Sequence, residues 1–119
     1  MYELKLAAAV VFVAAAFLLY GCSASKRKQY VISESKTYEA SLFRQNCAIC
    51  HGPEAEGRTL DNGTKVPSLR EGEFKKKTEA EIYDQIANGG NGMTPFRKQL
   101  TERELSMMAG FVFHNLRNQ

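Results

Sequence analysis

Two thiols and an imidazole fall within five residues, Cys47-Ala48-Ile49-Cys50-His51, in a chain of 119 residues with only three cysteines and two histidines. No other stretch restricts the possible folds as much. The spacing sets Cys47 and Cys50 about one helical turn apart, so a single group can meet both thiols, with His51 directly beneath it. C-x-x-C-H is the pattern of covalent haem attachment, in which each thiol adds across a vinyl group and the following imidazole ligates iron. The same residues also admit a thioredoxin-like dithiol, which needs a βαβ setting, or a zinc site drawing on Cys47, Cys50, His51 and the remote His114. A plain disulfide is a further reading.

Around this motif the apolar spacing predicts helices, and nothing alternates long enough to argue for a sheet. A first helix is expected from Thr37 to Asn46, with Tyr38, Leu42 and Phe43 on its apolar face. A second runs from Thr78 to Asn88, opened by the capping-box pair Thr78 and Glu81, with Ile82 and Ile86 one turn apart. The third runs from Thr101 to Arg117, opened by Thr101 and Glu104, and buries Leu105, Met108, Phe111, Val112 and Leu116. The intervals 52–77 and 89–99 are rich in Gly, Asn and Pro. Loops of that length are unusual in a small all-α domain; here they are expected to wrap a bound group that completes the core, and a covalent haem c would serve.

Iron held by His51 has a second axial position. Of the four methionines, Met1 goes with a leader segment, and Met107 and Met108 fall inside the third helix, where Met108 lies on the apolar face as core. Met93 follows Gly89, Gly90 and Gly92 and precedes Pro95, in a loop whose glycines let the backbone approach a flat ligand. Met93 is therefore the expected partner of His51 on iron, and His114 a helix residue.

The N-terminus is of a different kind. Leu6 to Leu19 (LAAAVVFVAAAFLL) carries no polar group, yet is short for a span of roughly 20 residues. It reads as a signal peptide over residues 1–21, or otherwise as an N-terminal membrane anchor. Leu19-Tyr20-Gly21-Cys22 resembles a bacterial lipobox, which makes Cys22 a lipid-attachment site and leaves Cys47 and Cys50 as a pair. Residues 22–36 are then a lipidated cysteine and a polar, basic linker; its fourteen residues from Ser23 would span on the order of 20 Å if flexible. The haem domain occupies 37–119. Its eleven basic and eleven acidic residues cancel, so the net charge of +3 belongs to the linker. No basic field for nucleic acid is present.

Residues 38 to 117 resemble a class I c-type cytochrome. SLFRQNCAICHG is similar to the family's first helix running into the haem motif, NGGNGMTPF to its distal-ligand loop, and LTERELSMMAGFVFHNL to its C-terminal helix. Val66-Pro67-Ser68-Leu69 resembles the proline segment, which implies that the Pro67 carbonyl accepts a hydrogen bond from His51. Two positions depart from the family: Ala40 or a neighbour stands where a glycine is common in the first helix, and Thr94 replaces the first proline after the methionine. The resemblance implies a small cytochrome c fold with haem-binding residues Cys47, Cys50, His51, Pro67 and Met93. It implies an electron carrier rather than an enzyme, on the periplasmic side of a bacterial cell envelope, with redox proteins as donor and acceptor. Alternatives are a haem relay subunit of a larger respiratory complex, or a peroxidase or gas sensor with a labile Met93; no distal His, Arg or Glu is evident for peroxide chemistry.

Overall fold

The computed structural model describes Met1 and residues 28–117. The leader segment, Cys22 and the beginning of the linker lie outside the described residues. Among those described, no helix is long and apolar enough to cross a membrane.

Helix α1, Tyr38–Asn46, starts where Thr37 in extended conformation accepts a hydrogen bond from Ala40 N–H. It buries Ala40, Leu42 and Phe43. Tyr38, expected on that face, is 55% exposed, and its hydroxyl instead donates to the Glu104 carboxylate. After Cys47 a single turn, α2 (Ala48–His51), carries the motif and stops at Gly52, whose φ of 85° an L side chain would strain.

The next interval holds a short antiparallel pair that the sequence pattern did not predict. Strands β1 (Arg58–Thr59) and β2 (Lys65–Val66) align Arg58 with Val66 and Thr59 with Lys65. Two residues per strand are too few for alternation to register.

Helices α3 (Glu79–Asn88) and α4 (Glu102–Gly110) begin at the predicted places, each with a complete capping box, Thr78 with Glu81 and Thr101 with Glu104. These two helices pack on each other most extensively, and α1 crosses α4. Beyond Gly110 the helix widens into a π-helical segment, Phe111–Leu116. Bonding from i to i+5 brings residues five apart onto one face. Phe111 and Leu116 are buried together with Val112, at 3, 0 and 4% exposure, which a regular α-helix would spread over a wider arc.

The core comprises Phe43 of α1, Ile82, Ile86 and Ala87 of α3, Leu105, Met108 and Ala109 of α4, and the π-helical residues. Phe111 meets Phe43 at 6.1 Å between ring centroids and Tyr30 edge-on at 5.3 Å. The participation of Tyr30 corrects the linker reading: its last residues belong to the domain. Ile32 is fully buried, a contribution of about 1.5–3 kcal/mol. The main chain around it is clamped from three sides. Ile32 N–H and Ser33 N–H each donate to the Glu54 carboxylate at 2.8 Å, Arg44 donates to Ser35 O at 2.9 Å, and Arg70 Nη2 donates to Tyr30 O at 2.8 Å. Residues 30–35 thus form a strap across the motif-bearing half of the domain.

Candidate functional site

Helix α1 delivers the motif directly. Cys47 N–H donates to Phe43 O at 2.8 Å and His51 N–H to Cys47 O at 2.9 Å, so the bonding of α1 passes into α2 without losing the phase that sets Cys47 and Cys50 one turn apart. Both cysteines are free thiols, so the plain disulfide is not formed. Cys47 packs against the core, and burial, with Cys50 nearby, pushes its thiol up to about 12. Cys50 is exposed, as is Ile49 at 74%. His114, the remote ligand that a zinc site would need, is instead 3.1 Å from the Glu79 carboxylate.

His51 is half-buried, and burial lowers its pKa, which keeps the imidazole neutral and leaves one ring nitrogen with a free lone pair. Its Nδ1 is buried without a hydrogen-bond partner. An orphaned ring nitrogen of this kind costs about 1–3 kcal/mol, and it is the feature expected of an imidazole shaped for a bound group. The bond to Pro67 that the resemblance implies is not made in this structure.

The Pro67 segment is nevertheless drawn against the motif loop. Leu69 N–H donates to Ala55 O at 2.9 Å, and Gly57 N–H donates to His51 O at 2.8 Å. Gly57, at φ 80°, lies so close to this segment that a Cβ there would sit 2.5 Å from Val66 O and 2.8 Å from the Pro67 carbonyl carbon. Ala55 adopts φ 63° while fully buried, a left-handed conformation unusual for a residue with a side chain. The sequence reading did not single out Gly57; the only trace was a glycine in an otherwise charged run.

On the other loop, Met93 is half-buried and packs on the same core as Cys47, Ala48, Leu69 and Phe96. It closes a tight turn: Gly90 N–H donates to Met93 O at 2.9 Å, and Met93 N–H to Gly90 O at 3.0 Å. Gly89, at φ 69°, allows the close approach, since a Cβ there would lie 2.5 Å from Met93 O. Phe96 N–H and Arg97 N–H then donate to Ile86 O and Ala87 O at 3.0 and 3.1 Å, so the chain after Met93 lies back along the end of α3. Two free thiols one turn apart, a neutral imidazole with a buried, unpaired nitrogen, and a thioether that packs, like Cys47, against the apolar core fit a covalently attached haem.

The family model described as "Cytochrome C oxidase, cbb3-type, subunit III" matches residues 38–112. Among curated proteins, the chain is 33% identical to the Cbb3-type cytochrome c oxidase subunit FixP of Sinorhizobium medicae, over 61% of this chain and 27% of that one. It is 41% identical to Cytochrome c-550 of Bacillus subtilis, over 51% of this chain and 48% of the relative. It is 32% identical to Cytochrome c6 of Anabaena variabilis, over 61% of this chain and 83% of the relative. The match thus spans about a quarter of the first relative, about half of the second and most of the third. No solved structure matches significantly.

Proposed function

This chain belongs to that family, the class I c-type cytochromes, and on this premise we propose that it is a single-haem electron carrier tethered to the membrane of a bacterial cell envelope. The cofactor of the family is haem c, which supplies, when bound, an iron that takes up and releases one electron. In this chain Cys47 and Cys50 would hold it by thioethers, and His51 and Met93 would fill the two axial positions. Burial keeps His51 neutral and able to ligate. The Pro67 carbonyl is the acceptor proposed for its Nδ1–H, which would fix the ring and raise its basicity. The reading rests above all on His51, half-buried with its buried Nδ1 unpaired, at the end of a turn that presents two free thiols.

Tethering is supported by the apolar run Leu6–Leu19 and the lipobox-like approach to Cys22. The domain boundaries proposed are a leader over 1–21, a lipid-bearing segment from Cys22, and the cytochrome domain up to 119. The partners are redox proteins of the envelope, met through a small contact.

The deciding experiment is the visible spectrum of the exported protein, oxidised and reduced. A reduced c-type α band with a weak far-red band in the oxidised form is the expected result. Haem bands without the far-red feature would displace Met93, and a colourless protein made with full maturation machinery would end the reading. A second reading, a relay subunit fixed in a respiratory complex, is favoured by the family description and by the name of the Sinorhizobium relative. Stoichiometric co-purification with oxidase subunits in mild detergent would select it.

A further inference from the structure

The chain contains three Asn-Gly pairs, at 62–63, 88–89 and 91–92. Asparagine before glycine is chemically labile, because the following backbone nitrogen can attack the side-chain amide carbon and glycine has no Cβ to hinder the approach. All three asparagines are exposed, so access to water does not separate them. Their hydrogen bonds do. Asn62 Oδ1 accepts from Thr64 N–H at 3.0 Å, and Gly63 N–H donates to Leu60 O at 2.8 Å. Asn88 Oδ1 accepts from Arg97 Nε at 3.3 Å, and Gly89 N–H donates to Gln85 O at 2.9 Å. In both pairs the side chain is held aside and the attacking nitrogen is engaged. At the third pair neither the Asn91 side chain nor the Gly92 N–H has a hydrogen-bond partner among the described residues. Asn91 and Gly92, at φ 53° and 86°, are the central residues of a two-residue turn closed by the paired Gly90 and Met93 bonds at 2.9 and 3.0 Å. Beyond the adjoining residues, no atom lies within 4 Å of the place a Gly92 Cβ would take.

We propose that Asn91 is a site of spontaneous deamidation in the loop that carries Met93. Opening of the exposed Gly90 and Met93 pair lets the Gly92 nitrogen reach Asn91 Cγ. That nitrogen gives up its proton and attacks; the new N–Cγ bond forms, the Cγ–NH2 bond breaks, and ammonia leaves with the proton. Water then breaks one of the two C–N bonds of the cyclic imide. Breaking the new bond leaves aspartate, and breaking the original peptide bond leaves isoaspartate, whose main chain runs through Cγ and is longer by one methylene. No electron is transferred, and water is the only co-reactant. Either product sets a carboxylate two residues before Met93. The lengthened chain of isoaspartate also misfits a turn whose closure depends on two residues at positive φ, so the loop around Met93 loosens. That last consequence rests on Met93 being the second iron ligand; the modification itself does not.

The test incubates the full-length holoprotein at mildly alkaline pH, natively and in denaturant, and maps the three asparagines by peptide mass spectrometry with enzymatic methylation of isoaspartate. In the native protein Asn91 is expected to convert many-fold faster than Asn62 and Asn88, and in denaturant the three rates are expected to converge. Equal native rates, a faster Asn62 or Asn88, or an Asn91 that converts only in denaturant would overturn the proposal. An Asn91 lead that persists in denaturant would trace it to local sequence and overturn the structural account. Asn91→Gly removes the amide and keeps a residue suited to positive φ. The far-red band of the wild type is expected to fade in step with conversion at Asn91, and that of Asn91→Gly to persist. Conversion with an unchanged band, or equal fading in Asn91→Gly, would overturn the link to Met93 and leave the modification site standing. Absence of the far-red band from fresh protein would overturn the Met93 assignment, while the peptide map still decides Asn91 by itself.

Discussion

The two loops bordering the candidate site are secured by different means. The loop after His51 is tied to distant parts of the chain by charged side chains. Arg70, 5% exposed, donates to Glu54 and to Tyr30 O, and Glu54 holds the strap. The loop around Met93 is tied mainly to its own neighbour, α3, through two main-chain bonds, the Gln85 amide and Arg97, whose Nε donates to Asn88 Oδ1 at 3.3 Å, and residues 90–92 at its tip are exposed. Segments with few buried contacts open at lower free energy than those locked into the core. The molecule therefore has a fixed side, carrying Cys47, Cys50 and His51, and a yielding side, carrying Met93.

Removing the fixed side has the largest expected effect. Cys47→Ala with Cys50→Ala is expected to abolish covalent haem altogether, read as loss of haem staining on a denaturing gel. Met93→Ala strikes the yielding side and is expected to leave haem attached, abolish the far-red band and admit carbon monoxide to the reduced iron. Covalent haem lost from Met93→Ala at the rate of the double cysteine variant would contradict the asymmetry.

Glu54→Gln tests the anchoring of the strap without touching a proposed ligand. It weakens two charge-assisted bonds and leaves the buried Arg70 short of a counter-charge, at a cost of about 2–4 kcal/mol in denaturant unfolding at neutral pH. Burial acts to raise the Glu54 carboxyl, but the hydrogen bonds from Ser33 and Ile32 and the Arg70 charge outweigh it, so its pKa lies below the usual 4.5. A depressed carboxylate stabilises the fold fully above its unfolded value and loses that contribution as pH falls through its folded value. The wild type and Glu54→Gln are therefore expected to converge in stability well below pH 4.5, and a constant gap down to acid pH would exclude the carboxylate as the cause. The smallest effect is that of Gly89→Ala, which forces a side chain into φ 69° against Met93 O. A loss of about 1–3 kcal/mol is expected, seen as earlier displacement of Met93 by added imidazole while the haem stays attached.

The sequence made the local features readable. Thr78 with Glu81 and Thr101 with Glu104 are three residues apart and form the caps they promise, because a capping box is closed within one turn. The C-x-x-C-H turn and the glycines before Met93 are similarly short-range. What escaped depends on residues far apart in the chain. Ile32 looked like part of a polar linker because the groups that hold its surroundings, Glu54 and Arg70, come 22 residues after it and 40 residues after Tyr30. Tyr38 fits an apolar stripe by spacing, yet its hydroxyl finds Glu104, 66 residues away. The π-helical widening at Phe111–Leu116 reflects what the core around it can accommodate, and no residue type announces it.

With the lipid anchor proposed at Cys22, the docked strap would also set the length of the leash. With the domain beginning at Thr37, fourteen residues from Ser23 could reach at most about 50 Å from a lipidated Cys22. With the chain captured from Tyr30 onward, seven residues remain, and their limit is about 25 Å. Halving the radius cuts the membrane area that the domain can sweep from one anchor point about fourfold. On the proposed lipid anchor, encounters with partners would then depend on the lateral drift of the lipid and less on the swing of the domain.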